Sequence, residues 1–177
     1  MTGRRTSAIL ERTEVVCLVV LIVATPTVFI RNTFSTFDVP QVTILWLAAM
    51  TMGLIAVARR LLFGRDASLP RPVMVAAAAF LISLGLNVAL SPQPWVAFTG
   101  LPVRGAGALT YGLCLLIFLS AYGTVTRRGP VMIVTAFVVA HGVVSGYALL
   151  QAYGGDPYQW GEGELWVSPV FSTLGNP

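Results

Sequence analysis

Of 177 residues, 56% are hydrophobic and only 10% charged, against roughly 25% charged in an average soluble domain. The mean hydropathy of +0.80 points to a bilayer, not to a water-soluble fold. The net charge of +4 comes from eleven arginines and no lysine, and spread as they are they give no footing for a nucleic-acid partner.

Five apolar runs follow in chain order: Val15 to Ile30, Val42 to Ala58, Val73 to Leu90, Ala106 to Val125 and Val131 to Leu150. As helices they reach about 24 to 30 Å, against a hydrocarbon core of about 30 Å. The expected fold is therefore all-α, a polytopic bundle of five transmembrane helices. It has a tail at 1–13, a membrane domain at 14–153 and an outer-face segment at 154–177. In the first run Pro26 should kink the outer part, while Arg12 and Arg31 can snorkel to lengthen it. A cleaved signal peptide is the rival there, but bulky Val28, Phe29 and Ile30 make a poor cleavage site, so an uncleaved helix is expected.

Arginine placement orients the bundle. Arg4, Arg5, Arg12, Arg59, Arg60, Arg65, Arg71, Arg127 and Arg128 fall on one side if all five runs span, and only Arg31 and Arg104 on the other. The positive-inside rule puts the N-terminus in the cytoplasm and the C-terminal end outside. Trp46, Trp95, Trp160 and Trp166 then gather at the outer side. That is an interfacial aromatic belt or a surface for an amphiphilic ligand. Cys17 and Cys114 lie at depths differing by about 10 Å, too far for a disulfide, and read as buried apolar thiols. Small residues four apart (Ala49 and Gly53, Ala79 and Ser83, Ala136 and Ala140, Gly142 and Gly146) should let helices pack closely.

No pattern for a metal, a nucleophile–base pair or a nucleotide-phosphate loop is present, and no cofactor is expected. His141, the only histidine, falls near the middle of the fifth run with no acidic residue inside any run to pair with it. It is either a neutral imidazole bonded to a neighbouring helix or a backbone carbonyl, or a substrate or proton group. Arg104, in the stretch GLPVRGAGALTY, stands before a helix N-terminus, where the macrodipole disfavours a cation by about 0.3 to 1 kcal/mol. An anion held by Arg104, Gly105, Gly107 and the first-turn amides would offset that. A simple interfacial arginine is the alternative. The outer tail mixes carboxylates with Tyr153, Tyr158, Trp160 and Trp166, which suits sugar stacking and an interface loop equally.

The order SPQPWVAFTG (91–100), RGAGALTY (104–111), LLQAYGGDPYQW (149–160) and STLGNP (172–177) resembles the N-terminal half of the O-antigen ligase and polymerase family; DVPQVTILWL (38–47) adds a less specific likeness. The resemblance implies a membrane glycosyltransferase that moves glycan from an undecaprenyl-pyrophosphate carrier at the outer face of the bacterial inner membrane, without nucleotide or metal. It implies a pyrophosphate-binding role for Arg104, with Gly105 and Gly107. It makes Trp95, Gln151, Asp156 and Trp160 candidates for contact with glycan or lipid carrier. Family members often carry an acid two residues after this arginine; here it is Ala106.

In the family STLGNP leads into a further helix, followed by the large outer loop with its essential arginines and histidines. The chain is thus expected to be the donor-side portion of such an enzyme, inactive alone, with His141 the only catalytic candidate inside it. Membrane lipid, the lipid-linked glycan and a second membrane chain are the expected partners. A non-catalytic membrane subunit or scaffold, and half of a transporter binding substrate near His141, are the alternatives.

Overall fold

The computed structural model describes residues 2–30, 36–63, 69–101, 105–128, 130–158, 170 and 172–174. These are helical with no strand among them: α1 (Thr2–Thr27), α2 (Asp38–Phe63), α3 (Arg71–Leu90), α4 (Pro94–Thr99), α5 (Ala108–Arg128), α6 (Val131–Ala152) and a 3-10 turn at Ser172–Leu174. Three segments, Asp38–Arg59, Arg71–Leu90 and Val131–Ala152, are long and apolar enough to cross a membrane, and Ala108–Gly123 is a shorter apolar helix. α1 packs between them although Glu11, Arg12 and Glu14 lie within it. The chain is an all-helical membrane protein.

The helix ends follow local chemistry. α3 starts behind Pro70 with a second proline in its first turn, where a missing N–H costs nothing. It stops at Ser91, held extended at φ −71 and ψ 138 as the residue before a proline must be. Pro94 then opens α4, a short helix the apolar runs did not foretell, and Gly100 at φ +83 closes it. α6 ends in a Schellman arrangement: Gly154 sits at φ +72, its N–H donates to Gln151 O, and the Gly155 N–H donates to Leu150 O at 2.8 Å. α1 begins inside the stretch read as a tail and ends at Thr27, short of Ile30. Pro26 supplies no N–H to extend the ladder.

The long helices stand in a row, α6–α1–α2–α5–α3, with α4 between α3 and α5, and α1 also touching α5. Hydrogen bonds place the C-terminal end of α1 beside the N-terminal end of α2 and the C-terminal end of α6, so α1 runs antiparallel to α2 and parallel to α6. Buried side chains concentrate in α1, α2 and α6, with Leu18 and Met52 almost fully enclosed. Lipid is as apolar as leucine, so association here rests on close packing and hydrogen bonds. Two of the four small-residue pairs serve that packing. Ala49 is buried and Gly53 meets Leu116 of α5, while Ala136 and Ala140 are buried in α6. Gly142 and Gly146 have nothing within 4 Å of a notional Cβ, and Ala79 and Ser83 are exposed.

Two readings are corrected. Cys114 is exposed on α5 and Cys17 half-buried on α1, so neither is a fully enclosed thiol; both are free. Arg59, read as a loop arginine, is buried near the end of α2. Its Nη1 lies 2.8 Å from Glu14 Oε2 of α1, with side chains 9% and 6% exposed.

Candidate functional site

The turn from Gly100 to Gly107 is closed by the chain's own backbone. Gly105 N–H donates to Leu101 O at 2.8 Å and Gly107 O accepts from Tyr111 N–H. A Cβ on Gly107 would collide with Phe98 O, Thr99 C and Gly100 N, and one on Gly100 would meet the Ala106 and Gly107 amides at 2.6 and 2.7 Å. Gly100 and Gly105 both adopt positive φ, which only glycine takes without strain. The turn is pinned to α2: Trp46 Nε1 donates to Thr110 Oγ1 at 3.0 Å, Thr110 Oγ1 donates to Gly105 O, and Gly105 rests on Val42. The freedom of Gly107 is thus used for chain-on-chain contact. The first-turn amides of α5 after it have no intrahelical acceptor by construction. Arg104 lies outside the described residues.

Beside this turn is an apolar groove of about 400 Å³, lined by Leu84, Gly85 and Val88 of α3, Phe98 of α4, and Ala108 and Gly112 of α5. Glycines 85 and 112 make room for it, with nothing within 4 Å of either notional Cβ. Trp95 projects from α4, exposed, with its ring 6.4 Å from that of Phe98.

A second polar cluster sits at the same end of the bundle, between α1, α2 and α6. Asp156 accepts from Gln151 Nε2 at 2.8 Å, Tyr147 Oη at 3.0 Å and Tyr158 N–H at 2.9 Å. Gln151 is buried, and its oxygen takes the Ser172 N–H at 2.7 Å. Ser172 Oγ donates to Val144 O, Thr173 Oγ1 to Pro26 O at 2.6 Å, and Gln41 Nε2 to Thr173 O. Ser172 pays for its seat with φ +52, a conformation costing a non-glycine residue about 1–3 kcal/mol. Phe29 packs against Phe37, Tyr147 and Tyr158 at 5.9, 6.1 and 5.5 Å between centroids.

The sequence candidates therefore separate. Gly105 and Gly107 share the turn; Gln151 and Asp156 bond each other in the second cluster, turned toward the protein; Trp95 stands alone on α4; Trp160 lies outside the described residues. His141 faces outward from α6, its Nδ1 2.9 Å from Phe137 O and its ring 3.9 Å from that of Phe137. Gln41, Thr110, Ser172 and Thr173 were quoted only as parts of motifs, and Tyr147 went unmarked. A polar residue at the end of an apolar run, where the next run's end must meet it, was the available signal.

No family model matches the chain, and no curated protein or solved structure matches it.

Proposed function

We propose that the chain is a five-span, N-in membrane protein and the donor-side portion of an O-antigen ligase-like glycosyltransferase, binding an undecaprenyl-pyrophosphate-linked glycan at the outer face of the bacterial inner membrane. The observation that carries the reading is the juxtaposition of the glycine turn flanking Arg104 with the apolar groove between α3, α4 and α5. A polyprenyl pyrophosphate needs an apolar track ending at cationic and amide donors. The track ends here at Ala108, the first residue of α5, four residues after the arginine in the sequence. In such a site charge grows on the departing pyrophosphate, and preorganised donors stabilise it more in the transition state than before it.

Binding of undecaprenyl pyrophosphate to the full chain in nanodiscs tests this. Arg104→Ala should weaken it by about 1.5 to 3 kcal/mol, the worth of a charge-assisted bond. Arg31→Ala, changing a cation beyond the C-terminal end of α1 where the dipole favours it, should do less. Equal small losses would make Arg104 an interface anchor.

A further inference from the structure

We propose that Trp46 and Thr110 are positioning residues for the pyrophosphate-binding turn: a directed hydrogen-bond relay from α2 holds the Gly105 carbonyl, and so fixes the free amide of Ala106 before an anion arrives. The inference rests on the reading of that turn as the pyrophosphate end of the lipid site, and it adds what makes the turn stiff.

Thr110 departs from the habit of the other helical threonines. Thr13, Thr27, Thr43, Thr51, Thr99 and Thr135 each return the hydroxyl to the carbonyl four residues back in their own helix. Thr110 instead donates to Gly105 O, five residues back and outside α5. A hydroxyl has one proton. With that proton committed to the carbonyl, Thr110 Oγ1 can only accept from Trp46 Nε1, a pure donor 3.0 Å away. The relay therefore has one direction, Trp46 to Thr110 to Gly105. Trp46, expected in an interfacial belt, is half-buried and its N–H is used inside the protein. It lies eight residues into α2, about 12 Å along the helix, where water to replace a lost partner is scarce.

The relay acts on the anion through the backbone. A bare carbonyl oxygen beside a pyrophosphate would repel it, and Thr110 takes up that of Gly105. No described peptide bond is cis, and a trans peptide points its N–H opposite its carbonyl. Holding Gly105 O toward Thr110 thus sends the Ala106 N–H the other way. Ala106 is exposed, and its N–H donates to no partner among the described residues. Donation into the Gly105 carbonyl also polarises the peptide and strengthens that N–H as a donor. The support comes from the far side. Ala108 and Gly112 line the groove, whereas Thr110, about 200° round the helix from Ala108, meets α2. Neither Trp46 nor Thr110 lines the groove, so the relay can set anion affinity without touching the lipid chain.

Equilibrium binding of two lipids to the full chain in nanodiscs tests this: undecaprenyl pyrophosphate, and undecaprenol, which shares the chain but lacks the anion. The ratio of the two affinities reads the turn alone. Thr110→Val removes the relay with little change of shape and should lower that ratio about fivefold, the effect of one hydrogen bond, with undecaprenol binding unchanged. Thr110→Ser keeps the hydroxyl and should stay within about twofold of wild type. Trp46→Phe leaves Thr110 bonded to Gly105 and should lower the ratio about twofold. Thr43→Val, which breaks only a return bond within α2, should change neither affinity. A wild-type protein that binds both lipids equally would defeat the reading of the turn itself, and this proposal with it. A clear wild-type preference for the pyrophosphate that Thr110→Val leaves intact would overturn the relay alone. So would a Thr110→Ser protein as weak as Thr110→Val, or equal loss of both lipids, which would make Trp46 and Thr110 supports of the fold at large.

Discussion

A single glycine shows how far residue type alone carries. Gly105 and Gly107 were legible as positions where backbone must come close to something, yet the sequence suggested a phosphate. At Gly107 the close partner is Phe98 and Gly100 of the same chain. Glycine reports a need for space or positive φ, and says nothing about what fills that space. Gly107→Ala should therefore cost about 1–3 kcal/mol through forced opening of the turn. Gly112→Ala, five residues on in α5 with nothing near its Cβ, should be neutral or gain up to about 1 kcal/mol of helix propensity. Thermal unfolding in detergent of the two variants against wild type checks the contrast. A stable Gly107→Ala protein would mean the turn is looser than its geometry.

Element boundaries were legible wherever proline or glycine marks them: before α3, between α3 and α4, and after α6. α1 was less so, because an apolar-run reading stops at the first charge. The helix continues through Glu14 because Arg59 of α2 neutralises it in a buried pair, and only the antiparallel pairing of α1 with α2 brings two residues 45 apart together. Breaking a buried pair leaves the partner charge stranded, at about 3–5 kcal/mol. Glu14→Gln and Arg59→Met should each destabilise the α1–α2 contact by that order. Replacing both with apolar residues should recover most of the loss, since the desolvation cost disappears with the charges. Unfolding midpoints in a mild-to-harsh detergent titration would measure it. A double variant as weak as the worse single one would show that the pair contributes more than charge cancellation. His141 illustrates the opposite limit: its depth was readable, but the direction it faces depends on which flank of α6 meets α1, and that is a property of the assembled row.

At the scale of the whole molecule, the cross-helix bonds show α1 antiparallel to α2 and parallel to α6, whereas the number of spans and their direction rest on charge. Removing buried Arg59 from the inner count leaves eight arginines against two, so the positive-inside argument survives its correction. Three helices are apolar enough to cross by themselves, and α1 and α5 would cross with their help. The two possibilities differ in a parity that can be measured. Between Ser68 and Gly161 the chain passes through α3, α5 and α6. If all three cross, the two positions lie on opposite sides; if α5 does not, they lie on the same side. Single cysteines at Ser68 and at Gly161, in a chain with Cys17 and Cys114 replaced by serine, should label with a membrane-impermeant maleimide from opposite faces. Gly161 should react in intact spheroplasts and Ser68 only after lysis. Reaction of both before lysis, or of neither, would remove α5 from the membrane and with it the outer-face placement of Arg104 and the groove.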